Sequence, residues 1–147
     1  MNERNDLNLS DIDAKDDLEN LFIEVSNKNY SCIIGAIYRH PSQNISSFLN
    51  SLEMKLLSKK FSHNIDYVLL GDLNINVLNY QTNRDSKKFL DLLTTFNFLP
   101  LTTLPTRITD STSTLIDHIF YRPALKHKKA TCQLILLALS PRTFQIT

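Results

Sequence analysis

Glycine is scarce in this chain: two among 147 residues, where ordinary usage of ~7% predicts about ten. The places of Gly35 and Gly71 are therefore informative, although a genome biased towards Asn, Lys, Ile and Leu accounts for the scarcity as well. Cysteine is nearly as rare. Cys32 and Cys132 have no metal-ligand spacing, and the expected compartment is reducing and intracellular, nuclear or cytoplasmic. The start of the chain is acidic and polar, unlike a signal peptide. Long apolar runs are missing too. Those at Cys32 to Tyr38 and Leu134 to Leu139 fall far short of the ~18 to 20 residues of a membrane helix, which excludes a membrane partner. Net charge is +1, so the total argues neither for nor against nucleic acid.

What is present suits one globular domain: 42% hydrophobic and 21% charged residues, and enough length for a sizeable core. Charge is unevenly placed. The first twenty residues carry seven acids and two bases, whereas no acid follows Asp117 and Arg122, Lys126, Lys128, Lys129 and Arg142 remain. Such a tail either lies along phosphates or forms an ordinary solvated surface.

The most informative stretch is Tyr67-Val-Leu-Leu-Gly-Asp-Leu-Asn-Ile-Asn-Val77. An apolar run entering Gly71 and Asp72 is expected of a buried strand that ends at a polar edge. Gly71 allows a sharp turn or a close approach. Asp72 and Asn74, at i and i+2, point the same way if the extended geometry persists. A carboxylate can then take a proton or hold a cation, and an amide can grip a water or a phosphoryl oxygen. Equally, Asp and Asn favour an Asx turn for local reasons alone.

Around this stretch, hydrophobic periodicity predicts alternating elements. Leu21 to Val25 and Ser31 to Tyr38 read as a strand pair joined by a turn at Ser26 to Asn29, ending at Pro41. Ile45, Phe48, Leu49, Leu52, Leu56 and Leu57 have helical spacing within 44–60, with Lys55, Lys59 and Lys60 late, as the helix dipole favours. A strand at Asp66 to Asp72, a helix at Ser86 to Phe96 and strands at Phe98 to Leu101 and Thr114 to Tyr121 follow, with Leu104 to Thr109 as a loop. The order indicates an α/β protein. Asp117 within the last strand is costly unless paired, and His118 falls on the opposite strand face.

Tyr38-Arg39-His40-Pro41, Gly71-Asp72-Leu73-Asn74, Pro105-Thr106-Arg107 and Thr114-Leu115-Ile116-Asp117-His118-Ile119 together resemble successive motifs of the endonuclease/exonuclease/phosphatase family. Their order and spacing are most similar to the endonuclease domains of non-LTR (LINE-type) retrotransposons. The resemblance covers 18–123, between a polar leader (1–17) and a basic, apolar tail (124–147) that lacks it. It implies a partial four-layer α/β sandwich, two packed sheets flanked by helices. It also implies Mg²⁺-dependent phosphoester hydrolysis with DNA as the partner. By the same resemblance, Asp72 orients or deprotonates the attacking water, Asn74 hydrogen-bonds the water or phosphoryl oxygens, Tyr38 touches the scissile phosphate and Asp117 orients a catalytic histidine. Arg39, Thr106 and Arg107 are candidate phosphate contacts; for the two arginines a structural salt bridge is the alternative.

Two departures qualify the expected activity. The family's metal-site Asn and Glu, which precede the Tyr-x-x-Pro strand, have no match: Glu19 and Glu24 sit in different surroundings. The closing Ser-Asp-His-like motif has none either, since His127 lacks the aspartate. No complete metal set is therefore expected. The function expected is that of a fragment of a metal-dependent phosphodiesterase, weak or inactive alone and prone to self-association through exposed strand edges. The alternatives are a phosphatase-like or exonuclease member and a non-catalytic remnant that binds nucleic acid or a partner.

Overall fold

A computed structural model describes residues 18–26, 31–59 and 61–124. The expected leader, most of the turn at 26–29 and the tail beyond Ala124 lie outside them. The described chain forms β1 (Glu19–Ser26), β2 (Ser31–Tyr38), α1 (Ile45–Ser58), β3 (Asp66–Asp72), a 3-10 turn (Val77–Asn79), α2 (Arg84–Thr95), β4 (Leu99–Pro100), β5 (Arg107–Ile108), β6 (Ser113–Thr114) and β7 (Asp117–Arg122). A five-stranded mixed sheet has the order β1-β2-β3-β7-β4, and β5 and β6 form a separate ribbon. Two sheets and two helices agree with the expected α/β class.

Connectivity explains the pairing. β1 and β2 pair antiparallel, as the predicted hairpin requires. β2 and β3 run parallel, which needs a crossover, and α1 supplies it. Asn44 caps α1 by accepting from the Ser47 N–H at 3.1 Å. α2 begins two residues earlier than its apolar spacing suggests, because Asn83 Oδ1 accepts from the Asp85 and Ser86 amides at 2.9 and 3.0 Å. It ends where Asn97 turns left-handed (φ 61°) and the Phe98 amide bonds back to Leu93 O at 3.0 Å.

Strand alternation gives the sheet two faces. On one, Phe22, Ile37, Tyr67, Leu69 and Phe120 meet Phe48, Leu49, Leu52 and Leu56 of α1 and Phe89 and Leu93 of α2 in the core. Leu57, expected on the apolar stripe of α1, is exposed, while Lys55 is buried. The other face carries Leu21, Leu70 and Ile119, which are 50, 37 and 40% exposed. It ends in Tyr38, Asp72 and Asp117.

The expected strand at 114–121 divides. Residues 113–114 pair with Arg107–Ile108, which the sequence pattern placed in a loop, and β7 begins at Asp117. Side chains interrupt the ladder between them. Asn76 Oδ1 accepts from the Leu115 amide at 3.0 Å, and Thr106 Oγ1 accepts from the Ile116 and Asp117 amides, each at 3.2 Å.

Candidate active site

The site is built where the outer face of the sheet reaches its end. Ala36 lies beside Leu70 across the parallel β2–β3 pair, so Tyr38 and Asp72, two residues further on, share that face and that end. Asp72 and Asp117 are direct partners in the antiparallel β3–β7 register, which puts their side chains on the same face. Three chemistry-bearing residues from three adjacent strands thus form one row. Tyr38 and Asp117 are exposed and Asp72 is half-buried, so the strand imposes no large desolvation cost on Asp117, which stands at its first residue.

Gly71 makes the row possible. Its φ is +152°, and a Cβ there would overlap the Ile37 carbonyl oxygen and lie 2.8 Å from the carbonyl carbon. Only glycine lets the end of β2 close onto β3. The approach is sealed by the Arg39 amide, which donates to Asp72 O at 3.1 Å.

Beyond Asp72 the extended geometry stops. Asn74 is left-handed (φ 50°), and its amide donates to Asp72 Oδ1 at 3.1 Å, an Asx turn of the kind asparagine tolerates. Asp72 and Asn74 are therefore not parallel side chains on one strand, as continued extension would make them. Asn74 Nδ2 donates one of its two hydrogens to Arg39 O at 2.9 Å, and its second hydrogen and its carbonyl oxygen can still bond a ligand.

Arg39 is corrected from a candidate phosphate contact to an interior group. It is 3% exposed. Its Nε donates to Leu73 O at 2.7 Å, Nη2 to Asn74 O at 2.8 Å and Nη1 to Gln43 O at 2.5 Å. Burial pushes the guanidinium below its ordinary value, and the charge of Asp72 opposes that shift. Arg107 has the opposite placement, exposed on the β5–β6 ribbon.

An open cleft of about 280 Å³ is lined by Leu70, Gly71, Asp72, Thr102, Thr106, Asp117, His118 and Ile119. Tyr38, Asn74 and Arg107 stand outside that lining. Thr106 spends its acceptor capacity on the Ile116 and Asp117 amides, leaving its hydroxyl hydrogen to donate. Thr102 plays a similar part, with Oγ1 accepting from the Ile119 amide at 2.7 Å. Thr102 was not expected at the site, and no sequence signal marks it.

His118 faces the core as strand parity requires. It is buried, with Nε2 at 2.9 Å from Ile75 O and its ring 5.5 Å from that of Phe89. Burial lowers its pKa, opposed by the Ile75 hydrogen bond and by the charges of Asp117 and Asp72. Among the described residues no group of three or more His, Cys, Asp or Glu side chains is arranged to hold a metal ion. No described helix is long and apolar enough to cross a membrane.

Comparison with known proteins converges on one fold. The family described as endonuclease-reverse transcriptase matches residues 32–138, running past the boundary expected at Pro123. A comparison with curated proteins gives no match. Among solved structures, the endonuclease domain of TRAS1, a telomere-specific non-LTR retrotransposon, is 15% identical with a TM-score of 0.54, over 70% of this chain and 50% of that one. Beta toxin 275-280 from Staphylococcus aureus is 11% identical with a TM-score of 0.51, over 73% and 44%. A beta toxin mutant from Staphylococcus aureus (F277A, P278A) with bound magnesium ions is 11% identical with a TM-score of 0.50, over 71% and 42%. This chain therefore spans half or less of the length of these structures. With a family match over most of its length and a fold shared with these structures, the chain belongs to the endonuclease/exonuclease/phosphatase family, with a fold like that of retrotransposon endonucleases.

Proposed function

We propose that this chain is part of a metal-dependent phosphodiester hydrolase that nicks DNA, with little or no turnover on its own. The observation that carries the reading is the alignment of Tyr38, Asp72 and Asp117 on one face at one end of the sheet. Asp72, held by the Asn74 amide, is placed to orient and deprotonate an attacking water. The Asn74 side chain and the Tyr38 hydroxyl contact the phosphoryl group, and the Thr106 hydroxyl and Arg107 add backbone phosphate contacts that position DNA without reading its sequence. Asp117 is left to orient an imidazole, and His118 cannot serve because it faces the core.

The donor chemistry fits Mg²⁺, a hard cation that takes one or two protein carboxylates and fills its remaining positions with water and phosphate oxygens. Asp72, through the oxygen that the Asn74 amide leaves free, is the residue that would hold it, and it would supply positive charge for the phosphorane oxygens. Among the described residues the row holds only the carboxylates of Asp72 and Asp117 and no histidine, and the loss of each missing group costs about 10² to 10⁴ in rate. The outer face with Leu21, Leu70 and Ile119 uncovered makes self-association the companion expectation.

Nicking of supercoiled plasmid by the purified chain in Mg²⁺ tests the reading, with EDTA and Asp72→Ala as controls. Slow nicking that disappears in both supports it. Nicking that survives Asp72→Ala contradicts it.

A further inference from the structure

We infer that Arg39 is a positioning residue of this site, a buried clamp that sets the backbone beyond β3 and through it the orientation of the Asp72 carboxylate. The inference rests on the reading of Asp72 as the water-orienting group. Three donors of one guanidinium end on three main-chain carbonyls, at Leu73, Asn74 and Gln43. The main chain of Arg39 completes a ring of contacts: its amide donates to Asp72 O, and its carbonyl accepts from Asn74 Nδ2. The segment between Asp72 and Asn74 is thus gripped from both sides by a single residue of the neighbouring strand end.

The grip has a geometric product. Carbonyls 73 and 74 are both turned towards the guanidinium, which fits the left-handed Asn74 (φ 50°) and aims the Asn74 amide at Asp72 Oδ1. A carboxylate that accepts a fixed main-chain N–H keeps one oxygen committed and the other free for a water or a cation. Lysine does not reproduce the arrangement, because an ammonium is a point donor and not a planar fork that serves divergent acceptors. The family resemblance offers Arg39 as a phosphate contact or a structural ion pair; its 3% exposure removes it from any phosphate on the surface.

NMR of the full chain provides the test. In the wild type, the Asn74 amide should show scalar coupling across its hydrogen bond to the Asp72 carboxylate, and the Arg39 Nε–H should exchange slowly and show the same coupling to the Leu73 carbonyl. In Arg39→Lys, with core amides such as Leu69 and Phe120 unmoved, the Asn74 coupling should vanish. An intact Asn74 coupling in a folded Arg39→Lys chain overturns the inference. So does free exchange of the Arg39 Nε–H in the wild type, a measurement that needs no variant to fold. Where nicking is measurable, Arg39→Lys should lower turnover on the order of 10²-fold, the cost of a misplacement of ~1 Å, and leave DNA affinity and its salt dependence unchanged. Loss of affinity with a shallower salt slope would instead mark a phosphate contact and overturn the inference. Because the NMR arm does not require catalysis, nicking that survives Asp72→Ala beside an intact Asn74 coupling would count against the nuclease reading and not against the clamp.

Discussion

Gly71→Ala tests how the site is assembled. The added methyl would enter the space of the Ile37 carbonyl oxygen and come within 2.8 Å of its carbon; this neighbour is main chain and cannot rotate away. At φ +152° an L side chain is also strained, which costs ~1 to 3 kcal/mol. Relief requires the end of β2 to move off β3, which breaks the Arg39 N–H bond to Asp72 O, worth ~0.5 to 1.5 kcal/mol. The total, about 1.5 to 4.5 kcal/mol, is a large part of the ~5 to 15 kcal/mol that holds a domain together. Urea denaturation should show it as a lower midpoint with an unchanged slope, and each kcal/mol should lower Tm by about 2 to 4 °C in a chain of this length. Gly35→Ala is the control. There the methyl meets side chains, overlapping the Phe22 ring and approaching Leu69 Cδ2 to 2.8 Å, so it destabilises by overpacking but leaves the amides of Asp72 and Asn74 in place. A Gly71→Ala chain within ~0.5 kcal/mol of wild type, the range of an ordinary surface substitution, would refute the reasoning.

Two further predictions follow from the core and the outer face. Burial depresses the folded-state pKa of His118 below its ordinary 6.5, so the unfolded chain takes up the proton first. This contribution to stability is complete above the unfolded value and declines as pH falls from about 6.5 towards the folded one. Melting curves between these limits should show that slope in wild type and a flatter one in His118→Asn; equal slopes would contradict it. Ile119→Lys on the outer face, at a position 40% exposed, should reduce self-association in sedimentation velocity with little change in stability. A wild-type chain that is already a single monomer at high concentration would contradict this.

Much of the fold was legible because its strands and helices carry unmistakable periods. Strand parity alone placed Asp117 and His118 on opposite faces, and the helical spacing of Phe89 and Leu93 identified the buried side of α2. The site was less legible. Asp72 and Asn74 left two readings open, parallel neighbours on a continued strand or an Asx turn, and the left-handed Asn74 decides for the turn. Arg39 itself read as either a phosphate contact or a structural salt bridge, since no local pattern reveals that three carbonyls converge on it. The β5–β6 ribbon was invisible for a related reason: its pairing is two residues long, and the division of the 114–121 strand comes from side-chain acceptors at Asn76 and Thr106, distant in sequence.

The proposed cation- and phosphate-facing site, with Asp72 as the ligand and Asp117 beside it on the same face, is tested without turnover by paramagnetic mapping. Mn²⁺ titrated into ¹⁵N-labelled chain should broaden the amides of Asp72, Asn74, Asp117 and Thr106 first, with Mg²⁺ competing and Asp72→Asn abolishing the effect. Broadening centred elsewhere, or none at this end of the sheet while the core stays folded, would contradict the account.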